Sequence, residues 1–406
     1  MGQRGATACR AKVIRDARET LIREESSNHD GNETALARSY RRDILFDPHK
    51  ELTQHMMIYS RFKMFMSIAL LCASAAAAQQ PPAQTTQPPD DSHIRLDVVV
   101  APKDGAPVRG LRQQDFTVLD NKTPQTITSF KEVSGREAPI EVTIVIDAIN
   151  TGPQLLGYER EQVQKFLAGE GGRLPYPTAV VVVADKNNEV VGGFTTDGNA
   201  LSAAVQKSDF ALRIVTRSQG YYGAADRLQI SIDALRRIIA SENQRPGRKL
   251  VLWVSPGWAL LSGPNTELDA KQEQGIFDDV VGISTALRQA RITLFNVNPV
   301  GTTEPIGFAS YYEEFLKGVS KPSQVHLGDL ALQVLAVQSG GLTITLNSDV
   351  SGTLRQSIDN STPYYEISYA APAAAKPNEY HHIEIKMAKS GLVARTRQGY
   401  YAQPAH

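Results

Sequence analysis

Between His93 and Phe130 apolar and polar residues alternate along the chain. IRLDVVVAP reads as a half-buried strand, KDGAPVRG supplies turn chemistry, and DFTVLDNKTPQTITSF reads as two more strands around an Asn-Lys turn. From Glu141 the pattern changes. VTIVI, TAVVVVA from Thr178, KLVLWVS from Lys249 and RITLFNVN from Arg291 are apolar on both faces. Continuous runs of that kind belong to a parallel sheet covered by helices on each side. The intervening segments LLGYEREQVQKFLA, ADRLQISIDALRRIIA and FDDVVGISTALRQA repeat apolar residues at three and four, the helical period. ADKNNEVVGGF adds an antiparallel edge strand through an Asn187-Asn188 turn. GDLALQVLAVQSGG, LTITLN and SDVSGTLRQSIDN close the unit as helix, strand and helix. Past Pro363 the period of two returns in YYEISYA, YHHIEIKMA and LVARTRQGYYA.

The expected architecture is α/β: a doubly wound, mostly parallel sheet over residues 139–361. It is inserted between the halves of a small β-sandwich formed by residues 93–138 and 362–404, because each set of flanking strands is too few to stand alone.

Ahead of this lies a different chemistry. MFMSIALLCASAAAA, Met64 to Ala78, is an apolar run after Arg61 and Lys63 that ends in small residues, the form of a signal peptide (57–78). It is shorter than the roughly twenty residues a permanent membrane helix needs. Residues 1–56 read as an extension from a start codon placed too early, with Met56, Met57 or Met64 as the true start; a cytoplasmic tail before a signal anchor is the alternative. QQPPAQTTQPPDDS, within 79–92, is an extended linker. The two cysteines, Cys9 and Cys72, both precede the expected cleavage, so no disulfide or cysteine-based metal site is expected in the exported product. With 43 basic and 43 acidic residues, no global field draws the chain to nucleic acid. The expected partner is a protein or cell-envelope component in the periplasm or outside the cell, with no membrane span in the mature chain.

EVTIVIDAINT followed by α/β repeats resembles a von Willebrand factor A-type domain. The lead-in IRLDVVVAPKDGAPVRGLRQQDFTVLDNKTPQTITSF, PYYEISYAAP and the closing ARTRQGYYA are similar to the VWFA-related proteins secreted by bacteria. The resemblance spans Ile94 to Ala402 and implies a von Willebrand A-like, Rossmann-type fold. It also implies a metal-ion-dependent adhesion site at the carboxyl ends of the central strands, with an Asp-x-Ser-x-Ser run, a threonine from a later loop and an Asp-Gly after the fourth strand. Mapped onto this pattern, Asp147 keeps the aspartate, Ile149 replaces the first serine, Thr151 stands for the second, and VSPGW puts Pro256 where the aspartate belongs, before Gly257. The metal candidates are therefore Asp147, Thr151 and Thr216, with Asp226 as a possible source of charge. Magnesium wants six oxygens, and two diagnostic ones are missing, so a degenerate site is expected and no cofactor, with Mg2+ or Mn2+ as the alternative. Asp147 is then a strand-end carboxylate accepting backbone N–H groups from the turn that Asn150 and Gly152 help to form.

The ligand-binding face is expected around Asp147, Thr151, Ser255 and Trp258; an aromatic surface from Trp258 with Tyr221 and Tyr222 is one reading, and the favoured one is that Trp258 folds back into a core, since isolated aromatics more often pack than bind. GEGGRL from Gly169 lacks the Lys-Ser/Thr of a P-loop, and the adjacent His381 and His382 point to opposite faces of a strand. No G-x-S-x-G, H-E-x-x-H or EF-hand pattern occurs. The expected function is protein binding or adhesion rather than catalysis. A divalent-metal-dependent adhesion module is the alternative, and an unrecognised hydrolase the weaker one.

Overall fold

The computed structural model describes residues 92–135, 138–184, 188–208, 220–258, 267–300, 311–345 and 349–404. The extension, the signal peptide, the linker up to residue 91, both cysteines and Thr216 lie outside the described residues.

Four strands come first: β1 (His93–Pro102), β2 (Phe116–Asp120), β3 (Thr123–Gln125) and β4 (Ile127–Val133). The Asn-Lys turn joins β2 to β3, with Asn121 and Lys122 both at positive φ as a two-residue hairpin turn requires. DFTVLDNKTPQTITSF therefore yields three strands instead of the two its alternation indicates, because the chain changes sheets after Gln125.

The central sheet contains β5 (Ile140–Asp147), β6 (Arg173–Val183), β7 (Asn188–Asp197), β8 (Arg248–Val254), β9 (Ile292–Val297) and β10 (Thr343–Ile344). Its spatial order is β10-β9-β8-β5-β6-β7, parallel throughout except for the reversed edge strand β7. That is the doubly wound order in which the chain winds one way from β5 and then the other. Helices α1 (Pro153–Ala168), α2 (Gly198–Lys207), α3 (Gly220–Glu242), α4 (Ala270–Gln289), α5 (Leu332–Gln338) and α6 (Val350–Asp359) cover both faces. Val145, Val251, Trp253 and Leu294 meet Leu228, Ile232 and Leu235 of α3, Phe277 and Val280 of α4, and Leu335 of α5. On the other face Ile144, Ile146, Leu252 and Phe295 meet Val163 and Phe166 of α1, Leu201 of α2 and Leu354 of α6. Each such aliphatic side chain contributes about 1.5–3 kcal/mol by leaving water.

After the central sheet come β11 (Tyr364–Ala370), β12 (Glu379–Met387), β13 (Leu392–Arg395) and β14 (Gly399–Ala402). They pair with the first four strands in two sheets, ordered β13-β1-β11-β4 and β14-β12-β2-β3. Ile94, Leu96 and Val98 of β1, Val118 of β2, Ile367 of β11, Ile383 of β12 and Tyr400 of β14 belong to one shared hydrophobic cluster. LVARTRQGYYA also divides in two: β13 pairs with β1 and β14 with β12, and the chain passes from one sheet to the other through Thr396–Gln398. Among the described residues no helix is long and apolar enough to cross a membrane.

Candidate functional site

The doubly wound order reverses between β5 and β8, the adjacent strands whose carboxyl ends carry Asp147 and Ser255. Open α/β sheets place their crevice there. Asp147 closes β5 at 0 % exposure. Its Oδ1 accepts the backbone N–H of Ile149 at 3.1 Å and of Asn150 at 3.0 Å. Its Oδ2 accepts the Asn150 amide Nδ2 at 2.9 Å, the Trp253 indole Nε1 at 3.0 Å and the Ser255 hydroxyl at 2.9 Å. Five donors thus converge on two oxygens. Ser255 Oγ in turn accepts the Gly257 N–H at 3.1 Å, and Asn150 Nδ2 also reaches Ser231 Oγ of α3 at 2.9 Å.

The other candidates turn inward as well. Ile149 is buried in the cluster with Val145, Leu228 and Ile232. Thr151 precedes Gly152, the N-cap of α1, and Pro153 takes the first helical position, where its missing N–H costs nothing. The Thr151 hydroxyl donates to Glu159 Oε1 at 3.2 Å. Glu159 is 0 % exposed, its Oε2 has no hydrogen-bond partner among the described residues, and burial together with the nearby Asp147 carboxylate raises its pKa well above the ordinary glutamate value. Trp258 is 2 % exposed and packs edge-on against Trp253 with ring centroids 5.2 Å apart. It does not present an aromatic surface. Tyr221 and Tyr222 fall at the start of α3, and Asp226, further along that helix, is exposed. Among the described residues beside the crevice, Gly152, Pro153 and Gln154 at the start of α1 are exposed.

A divalent cation does not fit this arrangement. The indole and amide hydrogens of Trp253 and Asn150 fill the approach to Asp147 Oδ2, Ile149 and Pro256 bring no side-chain oxygen, and the Thr151 hydroxyl is turned to Glu159. Among the described residues no group of three or more His, Cys, Asp or Glu side chains is placed to hold a metal ion.

Two buried polar groups of note escaped the sequence reading. Glu159 occupies a position on the apolar stripe of α1, three after Leu156 and four before Val163, and a carboxylate on such a stripe is the signal that marks it. Asp120 ends β2 and accepts Tyr369 Oη at 3.0 Å and Tyr400 Oη at 2.7 Å, with His381 Nδ1 also at 2.7 Å. His381 is buried and His382 exposed, as alternation along β12 requires.

No family model matches this chain, and no curated protein does. Similar solved structures include proximal thread matrix protein 1 from the mussel byssus, at 14 % identity and a TM-score of 0.35 over 60 % of this chain and 51 % of that one. The SpRpn10 VWA domain matches at 12 % identity and a TM-score of 0.24, over 55 % of this chain and 96 % of that domain. The pilus adhesin SpaC from Lactobacillus rhamnosus GG matches at 8 % identity and 0.30, over 73 % and 49 %. This chain spans about half the length of the mussel and pilus proteins it matches. These likenesses are distant, and the fold is defined by the strand order itself.

Proposed function

We propose that the chain is an exported protein-binding or adhesion module that works without a metal ion. In this reading the segment 139–361 is a von Willebrand A-type domain inserted into a β-sandwich made by 93–138 and 362–404. The observation that carries it is the saturated carboxylate of Asp147, five hydrogen-bond donors on two oxygens at the strand-order reversal. A crevice closed in this way is a rigid platform, and recognition falls to the exposed start of α1 beside it. Binding is favoured over hydrolysis because Asp120 and His381, an acid–histidine pair, are both buried among Tyr369 and Tyr400, away from any substrate. A fold by itself assigns no activity.

The test has two arms. Thermal unfolding in EDTA and then in magnesium or manganese at matched ionic strength should give superimposable curves; a saturable rise in Tm that Asp147→Ala removes would restore the metal-dependent alternative. Immobilised chain should retain the same envelope proteins with and without EDTA, and Gln154→Arg should weaken that retention. Retention that is unchanged in Gln154→Arg would move the binding face elsewhere.

A further inference from the structure

Helices α3 and α4 lie over the Trp253 face of the central sheet, and between them runs an open groove of about 250 Å³. Ile239 of α3 and Ile283 of α4, both buried, form its floor, and the small residues Ala240, Gly282 and Ala286 line its sides. A Cβ added at Gly282 would meet no atom within 4 Å, so the helices do not close over the groove there.

The two ends of the groove differ in chemistry. At one, Arg236 donates to Asp233 Oδ1 at 3.1 Å within α3 and to Asp279 Oδ1 at 2.5 Å across the groove. Asp278, next to Asp279 and exposed, accepts Gln274 Nε2 at 2.8 Å through its Oδ1. One guanidinium is thus set against three carboxylates, and Oδ2 of Asp278 and of Asp279 receives no hydrogen bond among the described residues. At the other end stand the side-chain amides of Asn243 and Gln289. From Asp279 to Gln289 the helix axis advances about 15 Å at 1.5 Å per residue. Net negative charge, an apolar floor and amides beyond it complement a long aliphatic stem that ends in a cation. Arginine matches this better than lysine, because its planar fork engages two carboxylate oxygens at once while its stem covers apolar surface.

We propose that the groove between α3 and α4 is a docking site for an arginine side chain of a protein partner. Its guanidinium sits at Asp278 and Asp279, its stem lies on Ile239 and Ile283, and the partner's neighbouring peptide groups meet Asn243 and Gln289. The groove shares no residue with the Asp147 crevice or its rim, so either reading can fail without the other. The probe is a short capped peptide of glycine and alanine with one central arginine, titrated into the full-length chain and followed by the methyl NMR signals of Ile239 and Ile283. Both signals should shift saturably, and added salt should weaken the binding, since the carboxylates are near solvent. A lysine peptide should need about tenfold higher concentration, and a norleucine peptide should shift neither signal. Asp278→Asn should weaken the arginine peptide about tenfold. Gly282→Leu fills the groove with a better helix former, so it should melt no lower than the wild type and yet lose the peptide. An arginine peptide that shifts neither signal at millimolar concentration overturns the site. So does undiminished binding in Gly282→Leu, which would put the peptide elsewhere, and so does equal binding of the norleucine peptide, which would mark an apolar groove that does not read charge.

Discussion

Replacing Asp147 separates a hydrogen-bond hub from a metal ligand, because the two roles predict opposite signs. A carboxylate held ready for a cation is a liability in the metal-free protein, and its neutralisation leaves the EDTA-treated fold unchanged or more stable. A hub loses partners. In Asp147→Ala the Ile149 N–H, the Trp253 indole N–H and the Ser255 hydroxyl are left in buried positions, while the Asn150 groups are only partly buried and regain water. An orphaned buried donor costs about 1–3 kcal/mol. The Ser255 hydroxyl is free to rotate where the indole and amide N–H groups are fixed, so these two dominate, for a loss of about 3–6 kcal/mol once the vacated space is included. That is a large share of the roughly 5–15 kcal/mol that holds a domain together. Asp147→Asn keeps one acceptor but turns an amide donor toward other donors, and should cost about 2–4 kcal/mol.

The assay is urea unfolding in EDTA followed by tryptophan fluorescence, which is well matched to the site because the chain's two tryptophans, Trp253 and Trp258, both stand at it. The midpoint should fall in the order wild type, Asn variant, Ala variant, with a red-shifted native emission in Asp147→Ala. Either variant unfolding at or above the wild-type midpoint would refute the hub.

Three further outcomes are expected. Burial raises the Asp329 pKa from 3.8 to about 6, so the folded chain holds a proton that the unfolded chain releases, and stability falls as pH rises between these values, by on the order of 3 kcal/mol; Asp329→Asn should flatten that slope in unfolding titrations and be the more stable protein at pH 7. Glu159 has the same sign, its contribution fully present below the ordinary carboxylate range and lost as pH rises toward its raised value, so Glu159→Gln should raise Tm at pH 8 and leave it unchanged at pH 4. Asp120→Ala strands the Tyr369 and Tyr400 hydroxyls and the His381 ring between the flanking sheets and should lower the urea midpoint by an amount equivalent to about 3–5 kcal/mol.

Local pattern was enough for the parallel strands and their helices, since VTIVI, TAVVVVA and KLVLWVS declare themselves apolar on both faces, and for the Asp147 turn, where the backbone N–H bonds come from residues two and three places on. Alternation could not reveal where a strand changes sheets, so β3 and β4 merged into one expected strand, as did β13 and β14; period two is kept across a crossing. The rest of the site depends on distance along the chain. Trp253 reaches Asp147 from 106 residues away, and from sequence it was only one apolar residue in KLVLWVS. Trp258 followed a Pro-Gly turn at the right edge of the sheet, but a large apolar ring beside another one gains more from packing than from facing water.

The identity of the donors at Asp147 also constrains how the proposed binding would work. A metal at a strand-end crevice lends an open coordination position to an incoming carboxylate, so one acidic side chain of the partner anchors the complex. Here the same space is filled by an indole, an amide and a hydroxyl fixed to β8 and to the turn after β5, and none of them has a free valence to offer outward. If the proposed binding reading holds, a partner at this crevice is held through many modest contacts with the rim, where Gly152, Pro153 and Gln154 meet solvent, and its affinity should be spread over several residues without one dominant acidic anchor. In an alanine scan of any captured protein, a single carboxylate whose loss abolished binding would contradict a closed crevice more directly than any measurement on this chain alone.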